Sequence, residues 1–292
     1  MKCRICGCEE HKIIYSGMIR DGCFGKYTQR AVDIYQCGGC GVMHHDDTRT
    51  DDQEFYESEK YRESMGEKID DYELLHDKEV LEKLQYTGTD IFRNKVVADI
   101  GCGGGCFLDF VQGAASKVIG IEPTEGFRRK LQEKGYHVYA YAADAMRKHK
   151  NQVDVITSFD VIEHVENPLL FMEECYGLCK EGGRIVIGTP TEQPIMRMAL
   201  GEEYDRFLFS TQHLWVLNEE SLEISARLAG FKSIKVKYKQ RYGLGNLIAW
   251  LKNRRPMGNM EYEYIADSVS RNWIASSEER GMADYIVLYA EK

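Results

Sequence analysis

The sequence predicts an α/β protein built on a mostly parallel sheet with helices on both faces. From Asn94 onward, short apolar and β-branched segments alternate with segments of helical pattern. Strands that are buried on both faces appear as continuous apolar runs, and a helix between successive strands makes them parallel. The predicted strands are KVVADI, KVIGI, YHVYA, VDVITSF and GRIVIGT, followed later by KSIKVKY and ADYIVLYAE.

Helices are predicted before and between these strands, starting with a helical region over residues 50–90. We expect DVIEHVENPLLFMEECYGLCK to form a helix that opens at Asp160. NEESLEISARLAGF is expected to be a helix that Asn218 caps and Gly230 ends. The segment 240–281 looks irregular. In IDDYELLHDKEVLEKLQ, the apolar residues expected to share one helix face are Tyr72, Leu75, Leu81 and Leu84.

Composition and charge narrow the class of protein. The 292 residues carry a net charge of −9, which argues against a nucleic-acid partner. Fifteen acidic residues against five basic ones fill 46–82, and eight basic residues with no acid fill 231–256. The basic run is either solvated surface or a contact for a substrate phosphate. No apolar stretch approaches the ~18 residues of a membrane span, and the polar start MKCRICGCEE lacks a signal core, so we expect a cytoplasmic protein.

A glycine-rich segment, VADIGCGGGC, follows the first strand of the predicted sheet. A phosphate-binding loop requires G-x-x-x-x-G-K-[ST], and no Lys-Ser or Lys-Thr follows here. A dinucleotide-binding turn requires G-x-G-x-x-G, but Cys106 occupies the third glycine position. The pattern present is D-x-G-x-G-x-G, formed by Asp99, Gly101, Gly103 and Gly105.

Two acidic residues at strand ends indicate the kind of ligand. Asp99 beside the turn would repel a pyrophosphate, but it suits a cation or a hydrogen-bond donor. Glu122 ends the next strand about 20 residues further on, where an acid binds ribose hydroxyls. An adenosine with a positively charged methionine tail satisfies both positions. The alternative is a dinucleotide-binding domain of another class.

The segment from Lys95 to about Ala290 resembles the class I S-adenosylmethionine-dependent methyltransferases. Five motifs occur in the family's order: VVADIGCGGGCFLDF, VIGIEPT, AADAM, VDVITSFDVIEHVENP and LCKEGGRIVIGTP. The resemblance implies a Rossmann-like, seven-stranded methyltransferase sheet, mostly parallel with the last strand antiparallel. It also implies S-adenosylmethionine as the cofactor.

The resemblance assigns roles along these motifs. Asp144 would meet the adenine amino group, and Phe159 and Asp160 would lie beside the methionine end of the cofactor. The full set of implied cofactor-binding residues is Asp99, Gly101, Gly103, Gly105, Glu122, Pro123, Asp144, Ala145, Phe159 and Asp160.

Candidate catalytic residues follow the fourth strand of the predicted sheet. Asp160, Glu163 and His164 would share one helical face, where they could support the cofactor loops, act on the substrate or gather a divalent ion. In family members that methylate small aromatic hydroxyls, a similar E-x-x-E-H group is thought to hold magnesium. His164 and His213 are the candidate bases. The aromatic residues near His213, which either belong to the core or line an acceptor pocket, are Tyr204, Phe207, Phe209 and Trp215.

Two C-x-x-C pairs near the N-terminus predict a structural zinc site. A glycine follows each pair, and about 30 residues separate the pairs, as in a four-cysteine zinc ribbon. Four thiolates close the coordination sphere, so the metal would stabilise a module too small to fold alone. The predicted ligands are Cys3, Cys6, Cys37 and Cys40.

The expected organisation is a zinc module over 1–48, a helical linker over 49–93 and a methyltransferase domain over 94–292. This domain would carry a substrate lid at 191–217 and an insertion at 240–281. The combination resembles methyltransferases of deoxysugar and surface-polysaccharide pathways, which implies a small-molecule acceptor such as the hydroxyl of a nucleotide-linked sugar. An rRNA base methyltransferase and a non-catalytic S-adenosylmethionine-binding partner protein are the alternatives.

Overall fold

A computed structural model describes residues 1–45, 57–58 and 71–292, and it contains two β-sheets. The larger sheet has seven strands in the order β10-β11-β8-β7-β4-β5-β6. Its strands are β4 (Val96–Ile100), β5 (Lys117–Ile121), β6 (His137–Tyr139), β7 (Val153–Phe159), β8 (Cys179–Pro190), β10 (Lys232–Lys239) and β11 (Tyr285–Glu291). All seven predicted strands are confirmed.

The direction of each strand also agrees with the prediction. The strands from β8 through β7, β4 and β5 to β6 pair in parallel, whereas β11 is antiparallel to both β8 and β10. The carboxyl ends of β4, β5, β6 and β7 therefore share one edge, where an open α/β sheet forms its ligand crevice.

The helices are numbered in chain order through the described residues. They are α1 (Tyr72–Thr87), α2 (Cys106–Val111), α3 (Glu125–Glu133), α4 (Ala142–His149), α5 (Pro168–Leu178), α6 (Pro194–Leu200), α7 (Glu202–Leu208), α8 (Glu219–Ala229), α9 (Leu244–Asn253) and α10 (Asp267–Glu279). The segment expected to be irregular thus contains two helices, α9 and α10. Among the described residues, no helix combines the length and the apolar character needed to span a membrane.

The smaller sheet is antiparallel and has four strands in the order β1-β2-β3-β9. The N-terminal cysteine-rich region supplies β1 (His11–Gly17), β2 (Val32–Cys37) and β3 (Met43–His44). The fourth strand, β9 (Trp215–Val216), comes from the segment predicted to be a lid. The domain boundaries proposed at residues 48 and 93 remain predictions.

The predicted buried face of α1 is wrong for two of its residues. Leu75 and Leu81 are exposed, and the buried apolar positions are Tyr72, Val80 and Tyr86. These three recur at helical spacing and pack on the core beside β4 and α2. The four leucine and tyrosine positions therefore do not form one face. Part of the predicted helical region, residues 50–56 and 59–70, lies outside the described residues.

Helix α8 begins and ends as predicted. The side chain of Asn218 accepts a hydrogen bond from the amide of Ser221, and the Ser221 hydroxyl accepts one from the amide of Asn218. Gly230 ends the helix in a left-handed conformation, with φ 106°. The amide nitrogen of the Asn218 side chain also donates to the carbonyl of Cys40, so the cap connects the helix with the cysteine-rich region.

We predict that Asn218→Ala lowers the free energy of unfolding by about 1–2 kcal/mol, because it removes a helix cap together with the Cys40 contact. Urea denaturation measures this difference. Glu220→Gln alters the same exposed first turn without touching the cap, and should stay within about 0.5 kcal/mol of the parent protein. Equal stabilities of the two variants would contradict the role of Asn218 as the cap of α8.

Candidate functional site

The glycine loop after β4 has backbone conformations that residues other than glycine do not readily adopt. Gly101 and Gly103 have φ values of 76° and 53°, in the left-handed region. A Cβ atom on Gly103 would collide with the Tyr72 hydroxyl, and one on Gly101 would collide with Val161. The loop is thus confined between α1 and the turn after β7, and it presents backbone rather than side chains to the crevice.

Glu122, which follows β5, ties this loop to the neighbouring strand. Its side chain is 3% exposed, and its two carboxylate oxygens accept hydrogen bonds from the amides of Gly103 and Thr124, each at 2.9 Å. Its own amide donates to the carbonyl of Tyr139, at the end of β6. An ionised carboxylate has about four acceptor positions, so this one retains capacity for two ribose hydroxyls.

Asp99 lies near the end of β4 and is also buried. Its Oδ1 accepts a hydrogen bond of 2.6 Å from the hydroxyl of Thr157 on β7. Burial raises the pKa of Asp99 to about 6, and the Thr157 hydrogen bond opposes the shift. A cationic ligand would favour the ionised carboxylate, as expected for the charged tail of the proposed cofactor.

The adenine-side residues lie one strand further along the same edge. Asp144 and Ala145 occupy the first turn of α4, directly after β6. Ala145 is fully buried, whereas the Asp144 carboxylate is partly exposed and lies 3.6 Å from Arg147. The carbonyl of Pro123 accepts a hydrogen bond from Arg128. The contacts of these residues with a cofactor stay predictions.

The segment after β7 is a turn and not the predicted helix. Asp160 has φ 58°, which interrupts a right-handed helix, and α5 begins only at Pro168. Asn167 is extended, as is usual before proline, and its side chain caps the helix through two backbone amides. Asp160, Glu163 and His164 consequently do not share a helical face.

Asp160 lies beside a group of polar side chains that the sequence did not predict as a site. This group, called the polar wall, consists of Arg241, Asp284, Tyr285 and Glu82. The surrounding protein desolvates the Asp160 carboxylate and so raises its pKa, although Arg241 and a Tyr285 hydrogen bond oppose the shift. The Arg241 side chain pairs with Asp284, whose Oδ2 lies 2.8 Å from Nε of Arg241. The Cζ atom of Arg241 lies 4.5 Å from the centre of the Tyr285 ring. The Tyr86 hydroxyl donates to Glu82 nearby on α1.

Only part of this wall could have been found from the sequence. Arg241 belongs to the basic run 231–256, which was considered for phosphate binding. Three lysines of that run, Lys232, Lys235 and Lys237, are exposed on the edge strand β10. Such lysines are usual on sheet edges, where they hinder pairing with other chains. Tyr285 and Glu82 carried no sequence signal.

The two candidate bases lie together, next to Glu163. The ring centres of His164 and His213 are 4.7 Å apart. The Nδ1 atom of His164 lies 2.7 Å from the carbonyl of Gln212, which assigns the proton to Nδ1 in the neutral ring and leaves the lone pair on Nε2. Burial is the main reason that the pKa of His213 is well below its usual value.

Glu163 is 1% exposed and accepts a 2.9 Å hydrogen bond from the Thr189 hydroxyl through Oε2. Burial and the nearby Asp160 raise its pKa to about 8. Its Oε1 is buried with no hydrogen-bond partner among the described residues and lies 3.9 Å from Nε2 of His164. Ligand atoms of Glu163, His164 and His213 all lie within 4.8 Å of one another, a carboxylate and two imidazoles that suit a divalent transition metal.

The four predicted zinc ligands are brought together at the N-terminal knuckles. The Sγ atoms of Cys3 and Cys40 are 3.8 Å apart, and those of Cys6 and Cys37 are 3.5 Å apart. A tetrahedron with metal–sulfur distances of about 2.3 Å has edges of about 3.8 Å, so the cluster fits a four-thiolate metal ion. The four sulfur atoms lie within 4.8 Å of one another.

The aromatic residues of the predicted lid belong mainly to the core. Tyr204, Phe209 and Trp215 are buried, and Phe207 is half-buried against the ring of Trp250. Tyr204 accepts a hydrogen bond from the amide of Gln193.

Comparison with known proteins agrees with this architecture. A family model described as a methyltransferase domain matches residues 72–236, more than half of the chain. The ubiquinone biosynthesis O-methyltransferase of Shewanella pealeana is 30% identical over 166 residues, which cover 53% of this chain and 70% of the relative. The enzyme of that name from Actinobacillus pleuropneumoniae is 30% identical over 137 residues, which cover 42% of this chain and 58% of the relative.

Solved structures share the fold at low sequence identity. An S-adenosylmethionine-dependent methyltransferase from Archaeoglobus fulgidus superimposes with a TM-score of 0.52 at 18% identity, over 80% of this chain and 97% of that one. A methyltransferase from Thermotoga maritima superimposes with a TM-score of 0.51 at 18% identity, over 77% of this chain and 96% of that one. The chain belongs to the class I S-adenosylmethionine-dependent methyltransferase family, which confirms the predicted family and sheet topology. The resemblance to sugar-pathway methyltransferases stays a prediction.

We predict that Glu122→Ala weakens S-adenosylmethionine binding about 10- to 100-fold, because hydrogen bonds to a charged group are lost. Isothermal titration calorimetry measures the dissociation constant. Glu125→Gln removes a charge from the exposed first turn of α3, three residues away, and should bind the cofactor like the parent protein. Unchanged affinity in Glu122→Ala would eliminate the ribose assignment.

Proposed function

We propose that the protein transfers a methyl group from S-adenosylmethionine to a hydroxyl oxygen of a small polar metabolite, with a nucleotide-linked sugar as the leading acceptor. The polar wall beside Asp160 carries this proposal. Arg241, Tyr285 and Glu82 supply hydrogen-bond donors and acceptors at the carboxyl edge of the sheet. A polyhydroxylated acceptor can satisfy such groups when it displaces water. The names of the curated relatives favour oxygen as the methylated atom.

The cofactor is proposed to lie across the carboxyl ends of β4, β5 and β6. Glu122 would bind the ribose hydroxyls, Asp99 the charged methionine end, and Asp144 the adenine amino group. The buried, ordered carboxylate of Glu122 supports the first assignment, since its orientation is fixed before the cofactor binds. The glycine loop would let the cofactor approach the backbone.

Methyl transfer from a sulfonium is an in-line displacement. The bond from carbon to the acceptor oxygen forms while the carbon–sulfur bond breaks, and the sulfonium becomes a neutral thioether. The acceptor hydroxyl must lose one proton, and we propose that Nε2 of His164 takes it. The contact between Nδ1 and the Gln212 carbonyl supports this role, because it orients the ring and fixes the tautomer. His213 is the second candidate base.

A divalent cation held by Glu163, His164 and His213 is the second candidate arrangement. The orphaned Oε1 of Glu163 favours it, since a buried acceptor without a donor is costly and a cation would satisfy it. Such a cation would supply Lewis-acid activation of the acceptor hydroxyl. His164 would then be a ligand and not the base.

An rRNA acceptor and a non-catalytic role remain the competing hypotheses. The net charge of −9 and the placement of the lysines along an edge strand both disfavour RNA. RNA binding would lose affinity steeply with salt, whereas binding of a small acceptor would change little. A cofactor-binding scaffold would retain affinity for S-adenosylmethionine and methylate nothing.

We predict that a screen with a tritium-labelled methyl donor transfers label to nucleotide sugars in preference to small phenols and rRNA. His164→Ala should lower the turnover number about 10²- to 10⁴-fold, the range typical of general-base catalysis. Affinity for S-adenosylhomocysteine should be retained. Label found in rRNA would reject the acceptor class, and label in none of the three with intact cofactor binding would favour the scaffold.

We also propose that the four cysteines hold a structural zinc ion, and we predict about one zinc atom per chain by elemental analysis of freshly reduced protein. Cys40→Ser should abolish stoichiometric zinc, whereas Cys23→Ser, which alters a cysteine outside the cluster, should not. A second metal lost from His213→Gln but not from Cys40→Ser would support the cation site. Protein prepared under reducing conditions without zinc would contradict the ribbon.

A further inference from the structure

A short strand is one of the connections between the four-cysteine region and the candidate acceptor site. Strand β9 pairs with β3, with Trp215 opposite His44 and Val216 opposite Met43. The segment 210–217, which carries His213 and forms the end of the predicted substrate lid at 191–217, is therefore anchored to the N-terminal sheet at this point. This pairing with β3 restrains the position of the segment.

Trp215 extends this connection to the turn that follows β7. Its amide donates to the carbonyl of Glu163 at 3.2 Å, and its indole Nε1 donates to the carbonyl of Val165 at 2.8 Å. The side chain is 6% exposed, and the ring centre lies 5.2 Å from that of His44. One residue thus contacts the cysteine-rich sheet through its ring and strand, and the candidate catalytic turn through both of its N–H groups.

The cysteine knuckles contact the same turn directly. Arg4, which lies between the first two cysteines of the cluster, donates to the carbonyl of Glu166 at 2.9 Å and pairs with its carboxylate. From the second knuckle, the carbonyl of Cys40 accepts a hydrogen bond from Asn218, immediately after the lid segment. His45 contacts the carbonyl of Ser210 at 2.9 Å, at the other end of that segment. Four independent contacts therefore lead from the module to the acceptor side.

The cofactor side is held by different contacts. The glycine loop is fixed by the Glu122 carboxylate and by the side chain of Tyr72, which α1 supplies. Asp99 is held by Thr157 from the adjacent strand. The two halves of the site thus take most of their contacts from different parts of the chain, and they meet where Gly101 packs on Val161.

We infer that the four-cysteine module acts as a positioning clamp for residues 163–166 in the turn after β7, with Trp215 as the positioning residue. The catalytic consequence of this clamp rests on the proposed methyl transfer, whereas its effect on the conformation of the turn does not. The clamp would fix Glu163 and His164 relative to the acceptor, and the metal would stabilise the clamp from a distance. The module then contributes to turnover and not to cofactor affinity.

The test uses Trp215→Phe in the full-length protein, which keeps a ring against His44 and removes the donor to Val165. Hydrogen exchange followed by mass spectrometry should show about tenfold faster exchange in the turn 160–167, as expected when one restraining hydrogen bond is lost. The peptide that covers 117–124, where Glu122 lies, should be unchanged. Trp250→Phe is the matched control, since Trp250 is a buried tryptophan that packs on Tyr204 and Phe207.

Two further measurements separate this role from general destabilisation. The dissociation constant for S-adenosylhomocysteine should stay within about twofold in Trp215→Phe, while the turnover number with an acceptor found in the screen falls about tenfold. Arg4→Gln, which removes the other contact with the turn, should change exchange in the same peptides. Normal exchange in the turn of Trp215→Phe, or equal acceleration in the peptide 117–124, would overturn the clamp. The exchange result does not depend on which acceptor is methylated.

Discussion

The Glu122 carboxylate, shared between two strand ends, is the contact on which the candidate cofactor site depends. It accepts one hydrogen bond from an amide of the glycine loop after β4 and one from an amide of its own turn after β5. The backbone amide of Glu122 donates a hydrogen bond to the carbonyl of Tyr139, at the end of β6. A buried carboxylate requires such partners, and these partners fix the separation of the adjacent loops. The glycines follow from the same constraint, because the loop must pass close to Tyr72 and Val161 without side chains of its own.

The acceptor side depends on contacts made far along the chain. The turn after β7 is reached by Trp215 of β9 and by Arg4 of the first cysteine knuckle. Because β9 also belongs to the N-terminal sheet, the cysteine cluster and the candidate catalytic turn form one continuous structure. This arrangement would give the small cysteine-rich region a role in the site without placing its proposed metal near the reacting atoms.

The sequence predicted the seven strands well because central parallel strands are apolar on both faces, and this leaves a clear pattern. The cysteine spacing likewise located the four sulfur atoms. The predicted helix start at Asp160 was wrong, because the left-handed Asp160 and the Asn167–Pro168 step outweigh the apolar periodicity, and the helix forms only over Pro168–Leu178. The pairing of β9 could not be predicted, because two residues carry no pattern. The wall formed by Arg241, Asp284 and Tyr285 joins residues more than forty positions apart.

A crystal structure of the protein with S-adenosylhomocysteine tests the central claim most directly. The account predicts that the Glu122 carboxylate oxygens lie about 3 Å from the ribose hydroxyls, with the sulfur atom directed toward Asp160 and the turn after β7. The Gly103 and Thr124 amides should keep their contacts with Glu122. A ribose bound away from Glu122, or a sulfur atom directed away from that turn, would contradict the account.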